Sequence, residues 1–270
     1  MDISSSRHYS KLARDYITAF DSSPVKKFFS ISPNERGAAL KDLIEKRVML
    51  SSSSEEKAKR KILIDELHKQ HSDAGTLTKQ VEVNLEALRN EKCVAVVTGQ
   101  QVGILGGPLY TIYKALHTII FANELKALYP DYQFVPIFWQ ETEDHDFEET
   151  SGINIITSNF ELRNIRYKPA GDISRRQIGG IALEKEAIDQ VFSEIESSIP
   201  KTDFTDAALA LYKNAYQDGF TFAEAQAHLL GELLCSDGLL ILNPNTPELK
   251  KQAVHIFKKE IDTAPYLSDS

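Results

Sequence analysis

Two short segments carry residue types that could do chemistry. The first, residues 98–110, reads TGQQVGILGGPLY, with Gly99, Gly103, Gly106 and Gly107 around the paired amides Gln100 and Gln101. Glycines so placed permit a tight turn, close approach of a ligand to the backbone, and left-handed φ where needed. Such a turn at the start of a helix presents unpaired N–H groups and the positive end of the helix dipole, which favour an anion. The letters match neither G-x-G-x-x-G nor G-x-x-x-x-G-K-[ST], so neither a dinucleotide fingerprint nor a Walker-type loop is present. The plainer reading is a glycine-rich connector, against which stands the need of both glutamine amides for donors and acceptors. Lys114, four residues after Tyr110, either reaches a phosphate or carboxylate or is a solvated helix charge.

The second segment, residues 141–149, packs six carboxylates and His145 into nine positions. Acidic runs are commonly solvated helix starts, so density alone decides nothing. A histidine between Asp144 and Asp146, with Glu143 beside them, has its imidazolium form favoured, which suits a general acid/base or a ligand for a phosphate-bearing group. The alternative is a histidine that caps or bridges locally. No ligand motif supports magnesium at Asp144 or Asp146, the remaining histidines show no metal-ligand spacing, and no metal is expected. Arg175 and Arg176 form either a bidentate grip on a dicarboxylate or phosphate, or a solvated pair. Cys93 is expected to be an inert core thiol, and Cys235 has no base beside it in sequence.

The flanking elements decide whether these residues meet. Residues 15–90 read as helices joined by polar punctuation, the last carrying Leu77, Val81, Leu85 and Leu88 on one face. Residues 93–98 are short, β-branched and continuously apolar, as in a strand buried on both faces of a parallel sheet. A helix over 109–129 and a second apolar run over 134–139 complete a βαβ unit. Both chemical segments then emerge from carboxyl ends of adjacent parallel strands, where α/β sheets bind ligands. Pro136 inside the second run suits an edge strand or a bulge. Residues 153–157 read as a third strand, and 160–183 as a basic insertion outside the core. Helices over 183–198, 203–216 and 222–235, a buried strand over 238–244, and a helix opened by Thr246, Pro247 and Glu248 follow.

The fold class is thus α/β: a Rossmann-type parallel sheet with N-terminal helices and an inserted connecting segment, thin in strands and incomplete. The expected organisation is a helical region over 1–92, a first βαβ part over 93–158, a connecting segment over 159–202, and helices with a return strand over 203–270. The 270 residues carry 31 Lys+Arg against 39 Asp+Glu, a net charge of -8, which argues against nucleic-acid binding. Two distant cysteines build no disulfide framework. Neither an apolar leader nor a run of about 18 apolar residues occurs, giving the expectation of a cytoplasmic chain with no membrane partner.

At the residues VVTGQQVG over 96–103, GPLYTIYK over 107–114, Phe138-Trp139, and EDHDF over 143–147, the chain resembles the bacillithiol-biosynthesis cysteine-adding family, the cysteine ligase (BshC) family. Further matches are Arg175-Arg176, Tyr212, the helix over 222–234, and the run over 238–244. The similarity covers nearly the whole chain but only the first half of the family, whose members are about twice as long. The resemblance implies a Rossmann-type core, a C-terminal coiled coil through which the full-length members form homodimers, and amide formation between cysteine and the amine of glucosaminyl-malate. Cysteine's carboxyl must then be activated, for instance as an adenylate by ATP or another nucleotide; the cofactor is otherwise unknown. On this resemblance Gly99, Gln100, Gln101, Gly103, Gly107, Tyr110 and Lys114 hold the activating group or substrate anions. His145 with Glu143, Asp144 and Asp146 orients cysteine, assists proton transfer or binds a developing phosphate charge, and Arg175 or Arg176 holds the malate carboxylates. Two other readings stand beside it: a Rossmann-type nucleotide-binding or nucleotidyl-transfer enzyme, and an inactive truncated fragment that only binds, whose sign would be exposed apolar surface.

Overall fold

The computed structural model describes residues 9–171, 173 and 176–267. Four helices open the chain: α1 (Lys11–Thr18), α2 (Ala38–Leu50), α3 (Ser54–Asp73) and α4 (Lys79–Ala87). The serine run before α3 works as a start signal, because Ser53 Oγ accepts the Glu56 N–H at 3.2 Å and Glu55 and Glu56 occupy the positive first turn. Such a cap stabilises a helix by about 1 kcal/mol. Thr78 caps α4 in the same way, accepting the Val81 N–H at 3.2 Å. The apolar face read for this helix is real: Val81, Leu85 and Leu88 are buried and share a core with Ile64, Leu67, Val135, Ile137 and Leu240.

The βαβ unit follows as β1 (Cys93–Gln101), α5 (Tyr110–Leu128) and β2 (Gln133–Glu141), with β1 parallel to β2 from Cys93 opposite Gln133 to Gln101 opposite Glu141. After α6 (Phe147–Thr150), β3 (Gly152–Ile156) and β4 (Leu162–Arg166) come α7 (Lys185–Ser198), α8 (Thr205–Ala215) and α9 (Phe222–Leu234), then β5 (Leu240–Leu242) and α10 (Pro247–Leu267). The main sheet has the order β1-β2-β5, and β5 runs parallel to β2. Thr246 caps α10 as its sequence predicts, its Oγ1 accepting the Leu249 N–H at 3.4 Å.

Five expectations need correction. The first strand is not buried on both faces, for Ala95 and Val97 on one side of it are exposed. The first strand does not end at Thr98 but continues through Gly99, Gln100 and Gln101. Gly99 is a strand residue there, since a Cβ on it would lie 2.8 Å from the Trp139 carbonyl oxygen. Pro136 sits in the middle strand rather than at an edge or bulge, ahead of the Ile137–Trp139 stretch that pairs with β5. The strand read at 153–157 does not extend the parallel sheet; it pairs antiparallel with β4 as a separate two-stranded sheet. Nor do residues 160–183 lie outside the core: Ile165, Tyr167, Ile178, Ile181 and Leu183 are buried with α7 and α9. Exposed Arg166 between buried Ile165 and Tyr167 is the period-two signature of a half-buried strand, which a count of charges overlooks.

The outer edge of β5 is closed by side chains of α3. His71 Nε2 accepts the Ile241 N–H at 2.9 Å, while the Gln70 amide donates to Asn243 O at 2.9 Å and accepts from Asn243 N at 2.8 Å. Those groups would otherwise be unpaired strand edge. At the opposite side of the sheet, Val97 of β1 and Tyr113 and Ile120 of α5 remain exposed.

Candidate functional site

The turn between β1 and α5 is built on left-handed backbone. Leu105, Gly106 and Gly107 have φ of 50°, 83° and 71°. For Leu105 that conformation costs roughly 1 kcal/mol, and it is held because its side chain is buried. Tyr216 of α8's C-terminal end clamps the same turn from inside the core: its hydroxyl accepts the Gly106 N–H at 2.6 Å and donates to Gly103 O at 2.8 Å. Complete burial pushes this phenol well above the usual tyrosine range, so it stays a donor. A Cβ on Gly103 would lie 3.2 Å from Thr150 O, so this glycine serves close packing of the turn against α6.

At the end of β1 the side chains form a connected set. Lys114 of α5 reaches back to donate to Gly99 O and to Gln100 Oε1 at 3.1 Å. The Gln100 amide donates to the Tyr110 hydroxyl at 3.4 Å. Gln101 Nε2 donates to Asp144 Oδ2, joining the two chemical segments directly. The Gln101 amide first, and the Asp146 N–H second, hold the Asp144 carboxyl below its ordinary range, against the opposing effect of partial burial. Asp144 is therefore an ionised acceptor.

The aspartates beside His145 do not grip its ring. Asp144 Oδ1 accepts the backbone N–H groups of His145 at 2.6 Å and Asp146 at 3.0 Å, and Asp146 caps α6 through the Glu149 N–H at 3.0 Å. The local capping is done by the aspartates, where the sequence leaves open a histidine that caps or bridges. The His145 side chain is exposed. Glu143 pairs with Lys250 of α10. The basic loop is carried to the same place, because Ile178 N donates to Asp144 O at 2.9 Å and Gly179 N to Thr142 O at 3.0 Å. Arg176 stands two residues before that contact with its side chain exposed; Arg175 lies outside the described residues.

Several participants carried no signal in sequence. Gln226 of α9 is fully buried; it donates to Gln101 O at 3.2 Å and accepts from Gln140 Nε2 at 3.2 Å. Thr111 is also fully buried, and its hydroxyl has no partner among the described residues. It lies 3.8 Å from the position a Cβ on Gly107 would take. α5 has no side-chain cap; its Thr111 and Ile112 N–H groups donate instead to Pro108 O at 2.8 Å and Leu109 O at 3.2 Å. An apolar cavity of about 380 Å³ opens beside it, between Gly107, Leu109, Ile155, Phe192 and Tyr212. Among the described residues no cluster of three or more His, Cys, Asp or Glu is placed to hold a metal. Both thiols are buried, which pushes Cys93 up to about 11 and Cys235 up to about 12; neither is a nucleophile.

The family model described as "Bacillithiol biosynthesis BshC, N-terminal Rossmann-like domain" matches residues 1–270. The chain belongs to the BshC family. Relatives named "Putative cysteine ligase BshC" include that of Chloroherpeton thalassium, 36% identical over 208 residues, covering 77% of this chain and 37% of the relative. The protein of Salinibacter ruber is 34% identical over 92% of this chain and 43% of its own, and that of Flavobacterium psychrophilum 31% identical over 95% and 45%. The chain thus spans less than half the length of these BshC relatives. The family description agrees with the parallel β1-β2-β5 sheet. Among the described residues no helix is long and apolar enough to cross a membrane.

Proposed function

We propose that this chain supplies the sheet-edge site of a cysteine ligase that joins cysteine to the amine of glucosaminyl-malate, forming an amide as the last step of bacillithiol biosynthesis. The observation that carries the reading is the Gln101–Asp144 bond, which draws the glycine turn and the acidic segment together at the carboxyl ends of β1 and β2. A nucleoside triphosphate, when bound, would supply the activation of cysteine's carboxylate. The glycine turn before α5, with the partly exposed Lys114 beside it, would hold its phosphates. As the amine attacks the activated carbonyl, a C–N bond forms, the bond from that carbon to the activating phosphate oxygen breaks with the phosphate group leaving on its electron pair, and the nitrogen must lose a proton. The exposed imidazole of His145, with no hydrogen-bond partner among the described residues, is the acceptor for it. Ionised Asp144 keeps the backbone of that loop in place, and Arg176 offers a grip for the malate carboxylates.

The test is mass-spectrometric detection of bacillithiol after incubating the chain, beside a longer family member, with cysteine, glucosaminyl-malate and candidate nucleotides. In the longer protein, replacing the histidine equivalent to His145 with alanine should abolish product without unfolding; unchanged turnover would sink the assignment. A second reading, binding without turnover, is favoured by the exposed apolar residues Val97, Tyr113, Leu116 and Ile120 along β1 and α5. Product from the longer protein alone, with dye binding by this chain, would favour it.

A further inference from the structure

The peptide that joins Gln101 to Val102, where β1 gives way to the glycine turn, is held on both edges. Its N–H, on Val102, donates to Glu141 O of β2 at 3.2 Å, and its carbonyl, on Gln101, accepts from Gln226 Nε2 of α9 at 3.2 Å. A peptide unit is planar, so bonds on opposite edges fix its orientation, whereas a single bond lets it rock about that contact. The first bond is a backbone ladder contact open to any residue but proline; the second depends on one side chain. Rocking this plane changes ψ of Gln101 and the direction of the Gln101 side chain, which carries the bond to Asp144.

Gln226 is itself tightly held. It is fully buried, and its Oε1 accepts from Gln140 Nε2 at 3.2 Å, a nitrogen that also donates to Ala223 O at 3.0 Å, one turn earlier on α9. Ala223 O only accepts, so the nitrogen of Gln140 must face α9. Gln226 must then offer its oxygen to Gln140 and its nitrogen to Gln101 O, and turning either amide round would set like groups face to face. Packing alone does not call for glutamine here. Methionine fills a similar volume with no amide to satisfy, while a buried amide costs free energy unless its ends are bonded. Both ends of this one are engaged by residues of β1 and β2, the strands that carry the two chemical segments.

We propose that Gln226 is a positioning residue of the site: by locking the 101–102 peptide it aims Gln101 at Asp144 and so joins the glycine turn to the acidic segment. Its importance for catalysis rests on the ligase reading, but its test involves no turnover. The Gln101 side-chain amide signals of the ¹⁵N-labelled chain, assigned by their absence from Gln101→Ala, report the bond, because an N–H that donates to a carboxylate is shifted downfield. In Gln226→Met, which keeps the volume and removes the donor, that downfield shift should be lost. In Gln226→Glu it should depend on pH. The groups bonded at position 226, Gln140 Nε2 and Gln101 O, are uncharged, and the carboxylates of Asp144 and Glu149 meet the Gln101 side chain instead. Burial therefore raises a carboxyl at 226 above the ordinary glutamate value of about 4.3. Protonated, it donates to Gln101 O and the Gln101 signal keeps its native position; ionised, it only accepts, and the shift is lost.

The signals are followed from about pH 5 to about pH 9. A native shift in the methionine chain would overturn the proposal by leaving Gln226 as packing. A shift lost from the glutamate chain at every pH would overturn it by making Gln226 a general support of the fold. Should the methionine chain fail to fold, the glutamate chain decides alone: a shift that moves with pH supports the role and one that does not overturns it. Failure of the ligase reading is a separate result, no bacillithiol from the longer family member, and leaves these signals as they are.

Discussion

Acidification should loosen the edge of β5 through one side chain. His71 is 1% exposed, and its ring bridges Ile241 N–H at 2.9 Å and Thr76 Oγ1 at 2.8 Å. Because a backbone N–H donates to Nε2, the neutral ring carries its proton on Nδ1, and a second proton would destroy the Ile241 bond. Burial accordingly lowers this histidine from 6.5 to about 4. The unfolded chain binds a proton at pH 5 and the folded chain largely does not, so stability is complete above about 6.5 and is lost as pH falls toward 4. At ~1.36 kcal/mol per pH unit the whole loss is of order 3 kcal/mol, and between pH 7 and pH 5 it is roughly 2 kcal/mol. The assay is urea unfolding of the native chain and of His71→Leu at pH 7, 6 and 5. The variant should be less stable at pH 7 by about 1–3 kcal/mol, since the Ile241 N–H and Thr76 hydroxyl lose their partner. That gap should shrink by roughly 2 kcal/mol by pH 5, because the leucine chain lacks the titration. Taking the difference removes the carboxylates common to both chains. A gap that stays constant with pH would refute the reasoning.

Other expectations concern the site itself. Tyr216→Phe keeps the ring but leaves Gly106 N–H and Gly103 O without their buried partner; unfolding should become easier by about 2 kcal/mol, read from denaturant midpoints. Gln101→Ala removes the leading cause of the low Asp144 carboxyl, so its titration, followed by carboxyl ¹³C NMR, should move up toward the ordinary range; no movement would break the link between the two segments. Gly179→Ala sets a Cβ 2.4 Å from Thr142 Cβ and 2.8 Å from Thr142 O. Backbone must therefore shift, and hydrogen exchange at Ile178 and Gly179 should accelerate, with destabilisation of at least about 1 kcal/mol.

What the sequence determined alone was local. The switch from helical periodicity at 77–88 to the continuous apolar run at 93–98, and back to a helix, set the βαβ unit, because each period buries one face only in one conformation. From that unit followed the parallel pairing and the meeting of residues near 100 with residues near 144 at one sheet edge. The caps at Ser53 and Thr246 were legible for the same reason: they act within three residues. Tertiary structure decided the rest. Glycines 99 and 103 are the same residue in sequence, yet one admits a neighbouring strand and the other a helix end, because the obstructing atoms, Trp139 O and Thr150 O, lie some 40 residues away. The roles of Tyr216, Gln226 and His71 depend on partners 110, 125 and 170 positions distant. Such contacts leave no period in the chain; they exist because buried backbone and amide groups must find partners, and only the packed core places those partners within reach.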